Sequence, residues 1–227
     1  MLSSHIASQI YKNFGFDPTP GQKTVVERLS RFIAEAPTDR TFILNGYAGT
    51  GKTTLVAALV RTLEEMGVPA VLLAPTGRAA KVMSRYAGRK AYTIHKKIYR
   101  QKTLASAESH FSLDYNKQKN AVFIVDEASM LSNYSPDGSL FGSGQLLDDL
   151  VTYVRRGAGC RLILVGDTAQ LPPVGLEHSP ALDVQHMQGY GEAEAVLLDD
   201  VVQQDSQSGI LFNARLVRCM LEADIID

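Results

Sequence analysis

The sequence predicts an α/β protein: a mostly parallel sheet with helices on both faces. Three observations predict it. Short apolar runs alternate with stretches of helical spacing along the chain. Those runs hold consecutive apolar residues at their centres, as strands buried on both faces do, and lack the in–out alternation of strands with one wet face. A glycine-rich turn, "GYAGTGKT" (46–53), joins the first such run to the helix after it.

Residues 21–36 place apolar side chains at 25, 26, 29, 32 and 33, a helical stripe ended by Pro37. "TFILN" (41–45) reads as the first buried strand. "KTTLVAALVRTLEEMG" (52–67) reads as a helix closed by Gly67. "PAVLLA" (69–74) is a second strand and "GRAAKVMSRYAG" (77–88) its helix. Residues 103–120 are polar and unpatterned, either a long loop or a small inserted subdomain at about 100–120. "AVFIV" (121–125) and "CRLILVG" (160–166) are the third and fourth strands, separated by a loop (132–144) and a helix (145–156). "EAVLL" (194–198) is a candidate fifth strand, and residues 208–221 a last helix. Connections between parallel strands are expected to be right-handed.

With 227 residues, 45% hydrophobic, the chain suffices for one substantial core. A net charge of −1 excludes a global field that draws in nucleic acid or an anionic membrane, so any anion-binding surface is local. Two cysteines, Cys160 and Cys219, make no disulfide framework and read as buried thiols in a reducing compartment. The N-terminus has no basic start followed by a long apolar stretch, and no run reaches the roughly 20 residues that span a bilayer. The expectation is a soluble cytoplasmic protein with no membrane partner.

"GYAGTGKT" fits G-x-x-x-x-G-K-[ST]. Glycines at 46, 49 and 51 let the loop turn its N–H groups inward around phosphate oxygens, and the next helix aims its positive end at the same place. Lys52 reaches the β- and γ-phosphates, and the Thr53 hydroxyl coordinates Mg²⁺. In "FIVDEAS", Asp126 ends a strand where it can hold the same ion, and Glu127 can activate the attacking water. Together these motifs make ATP hydrolysis the leading chemistry. "LVGDTAQLPPVG" (164–175) sets Asp167 and Gln170 at the end of the fourth strand, on the edge where open α/β sheets bind ligands. A glutamine there can bond the γ-phosphate or the water and lose that bond after hydrolysis. Pro172 and Pro173 stiffen the segment beyond the glutamine.

No acidic residue occurs between Glu65 and Glu108, and nine of the chain's 23 basic residues lie within 78–102. That concentration, in a chain otherwise near neutral, is the local evidence for a nucleic-acid backbone. Tyr86, Tyr92 and Tyr99 are interleaved, either as core residues or as faces that stack bases.

These motifs, taken together and over nearly the whole chain, resemble superfamily 1 helicases of the RecD-like and Dda-like branch. The resemblance rests on "PTPGQKTVV", "GYAGTGKTT", "APTGRAAK", "TIHK", "VDEAS" and "GDTAQLPPVG". It implies a RecA-like P-loop NTPase fold, with residues 1–227 forming the first motor domain. Gln22 would read adenine, and Gly46, Gly49, Thr50, Gly51, Lys52, Thr53 and Thr54 would hold ATP. Catalysis would fall to Lys52, Glu127 and Gln170, and Mg²⁺ to Thr53 and Asp126. Thr76, Arg78, Lys81, Thr93, His95 and Lys96 would contact single-stranded DNA, with His95 either stacking on a base or bracing its loop. The family's small subdomain carries a strand-separating pin; Phe111 is either its apolar tip or ordinary packing.

The resemblance further implies 5′-to-3′ translocation. It also implies a second motor domain, absent from this chain, that supplies an arginine finger. Where the family places an arginine on the γ-phosphate, this chain has Gln203, which carries no charge. An isolated first domain is expected to bind Mg-ATP weakly, turn it over slowly and unwind nothing. The alternatives are a non-motor or degenerate ATP-dependent nucleic-acid-binding module, and an RNA helicase of the same superfamily.

Overall fold

A computed structural model describes residues 2–102, 110–133 and 141–200. In chain order its elements are α1 (Leu2–Phe14), α2 (Pro20–Glu35), β1 (Thr41–Gly46), α3 (Lys52–Glu65), β2 (Ala70–Ala74), α4 (Gly77–Ala87), β3 (Ala91–Thr93), α5 (Ile94–Ile98), β4 (Tyr99–Lys102), β5 (His110–Leu113), β6 (Val122–Val125), α6 (Leu146–Arg155), β7 (Arg161–Gly166), α7 (Val184–Gln188) and β8 (Ala193–Leu198). Six strands form one sheet in the order β3-β2-β6-β7-β1-β8, every neighbouring pair parallel. The five expected strands are β1, β2, β6, β7 and β8. Gln203, Cys219, the expected helix 208–221 and residues 103–109 of the polar segment lie outside the described residues.

The apolar runs are continuous because successive side chains enter different core layers. Phe42 and Leu44 of β1 pack with α1, α2 and α3, while Ile43 between them packs with α5 and α6 on the other face. All three are fully buried. Because the strands are parallel, the loops that leave β1, β2, β3, β6 and β7 all depart from the same edge of the sheet. That edge is where every motif of the sequence falls.

Several elements carry weaker sequence signals. Helix α1 buries Ile6, Ile10 and Phe14, a stripe one residue per turn wide, against α2 and α3. Strand β3 has three residues, all half-buried, and pairs at the sheet's edge with Ala74 opposite Thr93. The polar segment supplies β5, which pairs antiparallel with β4. Phe111 of β5 stacks on Phe141 with centroids 4.6 Å apart.

A buried carboxylate fastens this hairpin to the domain. Asp149 of α6 accepts from the Tyr99 hydroxyl at 2.7 Å, from the Ser143 amide at 2.9 Å and from the Ser143 hydroxyl at 3.0 Å. Burial, and then the Asp149 partnership, raise the Tyr99 phenol above its ordinary range. Replacing Asp149 by Ala strands the tyrosine hydroxyl, and the expected loss is about 1–3 kcal/mol. A lower urea midpoint at unchanged m-value would show it. An unmoved midpoint would mean that the network adds nothing.

Candidate functional site

Strand β1 delivers Gly46 to the sheet edge, and α3 begins at Lys52. Between them Gly49 (φ 81°) and Gly51 (φ 86°) adopt the left-handed conformation that a side chain would oppose. The Lys52 ammonium donates to the carbonyls of Gly46, at 2.5 Å, and Tyr47, at 2.8 Å. Thr50 is fully buried and its hydroxyl donates to the Tyr47 carbonyl at 2.8 Å. Thr53 and Thr54, at the start of α3, face a cavity of about 460 Å³.

Gln22 is buried beneath this loop. Its amide N–H₂ donates to the Thr50 carbonyl at 3.0 Å. Its amide oxygen accepts from the Thr19 backbone N–H at 3.0 Å, and the Thr19 hydroxyl accepts from the Gln22 N–H, closing a capping box at the start of α2. Gln22 therefore braces the phosphate loop from behind, and the side chain that stands at the cavity is Phe16. Phe16 is 46% exposed and lies edge-on to Phe14 at 4.8 Å. The motifs gave no role to Phe16. Its one signal in the sequence is an aromatic residue in a Gly/Pro-rich stretch just ahead of the Gln22 helix.

Strand β6 ends on the acids. Asp126 accepts from the Tyr86 hydroxyl at 2.6 Å on one oxygen and from the Glu127 N–H at 3.0 Å on the other. Burial, reinforced by Asp126, pushes the Tyr86 phenol far above its usual range, so it stays a donor. Glu127 has φ 54° and ψ 38°, a left-handed backbone rare for a residue with a side chain. Burial, then the charges of Asp126 and Asp167, raise its carboxyl. A hydrogen bond from Gln170 and the charge of Lys52 oppose them.

Strand β7 ends at Gly166, and Asp167 after it is buried, accepting from the Ala169 N–H at 2.9 Å. That turn lifts Gln170 into the cavity, where its amide oxygen accepts from the Ser129 hydroxyl at 3.2 Å. Gln170 thus touches both Ser129 and Glu127. The next residues run outward, with Leu171 89% and Val174 83% exposed.

The residues expected to contact a nucleic-acid backbone lie along the same edge. Thr76 caps α4, its oxygen accepting from the Ala79 N–H at 3.2 Å, and Thr93 caps α5, accepting from the Lys96 N–H at 3.2 Å. Each hydroxyl keeps its own hydrogen to donate. Arg78, Lys81 and Lys96 are exposed. His95 is half-buried, its ring 5.1 Å from Phe141 and 5.7 Å from Tyr99, and burial lowers its pKa. Of the interleaved tyrosines, Tyr86 and Tyr99 pack inward, and Tyr92 lies between the ammonium groups of Lys90 and Lys97, 5.2 and 5.7 Å from its ring centre.

The donor set fits a magnesium ion that arrives with phosphate. Asp126 and Thr53 offer hard oxygens at one cavity wall, and each Asp126 oxygen keeps a lone pair beyond its protein partner. Among the described residues no cluster of three or more His, Cys, Asp or Glu could hold a metal by itself. Magnesium typically takes one or two carboxylates and completes its shell with waters and substrate phosphates. No helix among the described residues is long and apolar enough to cross a membrane.

Comparison with known proteins bears on the family and the fold. The family model of an AAA domain matches residues 18–218. The ATP-dependent RecD2 DNA helicase of Deinococcus radiodurans is 32% identical over 160 residues, covering 69% of this chain and 19% of that protein. The ATP-dependent DNA helicase dda of Enterobacteria phage T4 is 33% identical over 165 residues, 70% of this chain and 33% of that protein. Among solved structures, the Pif1 helicase from Candida albicans matches the fold with a TM-score of 0.56 at 16% identity, over 89% of this chain and 44% of that one. The resemblance read from the motifs therefore holds, and the chain spans a third or less of these two curated relatives' length.

Proposed function

This chain belongs to the AAA-domain family, and from that membership we propose that it is the ATP-binding motor domain of a DNA helicase. It would couple hydrolysis to 5′-to-3′ movement along single-stranded DNA. The observation that carries the reading is the convergence of three groups on one sheet edge. The phosphate loop, the pair Asp126–Glu127 with Gln170, and the threonine-capped starts of α4 and α5 all lie beyond the ends of strands that run in the same direction.

Lys52 exchanges its loop carbonyls for β- and γ-phosphate oxygens. Thr53 and Asp126 hold magnesium, which when bound neutralises charge building on the phosphates. Glu127 takes the proton of the attacking water, and Gln170, bonded to Glu127 and Ser129, orients that water. Phe16 stacks on the base, while Gln22 fixes the loop through Thr50. Thr76 and Thr93 donate to DNA phosphates, Arg78, Lys81 and Lys96 neutralise them, and His95 shapes the α5 turn among Tyr99 and Phe141. A second motor domain in a longer protein supplies the arginine that completes the site. Such an arginine contributes roughly 10³–10⁵ in rate in related phosphoryl transfer.

A labelled-nucleotide titration with and without Mg²⁺, and then single-turnover hydrolysis with oligodeoxythymidine or oligouridine, tests this. Expected are magnesium-dependent uptake, slow turnover and a preference for DNA. Absence of magnesium-dependent uptake would defeat the ATPase reading, and stimulation by RNA alone would move the substrate to RNA. Fast turnover by this chain alone would remove the need for a second domain. The DNA face has its own test. Arg78→Ala should weaken oligodeoxythymidine binding and flatten the plot of log affinity against log salt by about 0.7, the slope of one single-strand phosphate contact. Fluorescence anisotropy over a sodium chloride series measures it, and an unchanged slope takes Arg78 out of the interface.

A further inference from the structure

The Tyr86–Asp126 hydrogen bond joins two parts of the molecule that the function keeps separate. Tyr86 sits in the last turn of α4, the helix that Thr76 caps and whose first half carries Arg78 and Lys81. Its hydroxyl reaches across to the carboxylate that ends β6. Along the main chain, the two residues are 40 positions apart. The ring packs against the core layer of α1–α3.

We propose that Tyr86 is a positioning residue that ties occupation of the α4 nucleic-acid face to the metal-binding geometry of Asp126. The inference rests on the reading that Asp126 holds magnesium. An ionised carboxylate offers about four lone-pair positions. Tyr86 takes one on Oδ2 and the Glu127 N–H takes one on Oδ1, so each oxygen keeps a position for a cation or its water. The two donors together fix the rotation of the carboxylate plane. The Glu127 donor belongs to the same turn as Asp126 and moves with it. The Tyr86 donor belongs to α4 and moves with α4. A phosphate backbone seated on the Thr76 N-terminus biases the position of that helix, and the hydroxyl at its other end carries the bias to Asp126. By linkage, magnesium-nucleotide at Asp126 then favours the same position of α4 and strengthens the grip on DNA by the same factor.

Tyr86→Phe keeps the ring and its packing and removes only the O–H. Uptake of a labelled nucleotide is titrated with Mg²⁺, with and without saturating oligodeoxythymidine, and repeated in EDTA. In the wild type, DNA should lower the magnesium midpoint. In Tyr86→Phe the midpoint should rise about tenfold, the low end of what partners behind metal ligands contribute. DNA should no longer move it, and uptake in EDTA should match the wild type. A structural role would lower uptake in EDTA and the melting temperature while leaving the magnesium midpoint alone. An unchanged midpoint overturns the inference, and so does a raised midpoint that DNA still shifts as in the wild type. A wild type with no magnesium-dependent uptake would defeat the ATPase reading itself, a result distinguishable from either.

Discussion

Replacing Glu127 by Gln is expected to slow hydrolysis by roughly 10²–10⁴ while leaving nucleotide uptake nearly unchanged. A positioned general base contributes that much to a proton transfer. The substitution is well suited to the site, because the surroundings already work against the carboxylate's charge. Burial and the charges of Asp126 and Asp167 all raise the carboxyl. An amide of the same shape removes the cost of burying that charge and keeps a hydrogen-bonding oxygen for Gln170. The left-handed backbone at φ 54° is common to both side chains. The variant should therefore melt at or slightly above the wild-type temperature, so that lost turnover reports chemistry and not folding. Single-turnover phosphate release and a nucleotide titration, run side by side, separate the two. Turnover at the wild-type rate would take Glu127 out of the role of base and leave Asp167, the cavity carboxylate given neither to metal nor to water, as the next candidate.

What the sequence displayed was local, and what it concealed was the set of contacts between distant segments. The buried strands were legible because both faces of the sheet are covered, which turns β1 into a run with no polar interruption between Thr41 and Asn45. The cradle was legible because its glycines answer a backbone requirement that Gly49 and Gly51 meet directly. The hairpin of β4 and β5 was not, because its own residues are largely polar. It is held by Phe141 and by Asp149, which is 50 positions from Tyr99. Strand β3 is three half-buried residues at an edge and has no pattern to read. Helix α1 was not read from the sequence, although Ile6, Ile10 and Phe14 stand at a spacing of four. The resemblance gives Gln22 to adenine, and the structure shows it buried beneath the loop. Thr19 and Gln22 form a capping-box pair visible in the sequence, and the structure uses the glutamine's remaining N–H₂ on the loop carbonyl of Thr50. Phe16 at the cavity and Tyr86 on Asp126 reach the site from distant segments and left little trace in their own neighbourhoods.

Lys52→Ala should abolish magnesium-nucleotide uptake at concentrations that saturate the wild type. The lysine begins α3 and its ammonium lies 2.5 and 2.8 Å from two carbonyls of the loop it closes. Those bonds hold the charge at the cradle before any phosphate arrives, so little side-chain freedom remains to be lost on binding. Removing one member of a desolvated charge pair costs about 2–5 kcal/mol, or roughly 30- to 5000-fold in affinity. Two compensations limit the damage to the fold. The Tyr47 carbonyl, at the cavity, keeps its bonds from the Thr50 amide and hydroxyl when the lysine is gone. Thr50, bonded to Tyr47 and held by Gln22, keeps the loop in shape without the lysine. The variant should thus melt close to the wild type in the absence of nucleotide. It should lose the rise in melting temperature that magnesium-nucleotide gives the wild type, a rise that comes from binding to the native state alone. Arginine at the same position keeps the charge but not its compact shape, and should recover only part of the affinity. Uptake by Lys52→Ala at the wild-type level would show that the backbone N–H groups and the α3 dipole hold the phosphates unaided. The proposed hydrolysis would then lose its principal cation.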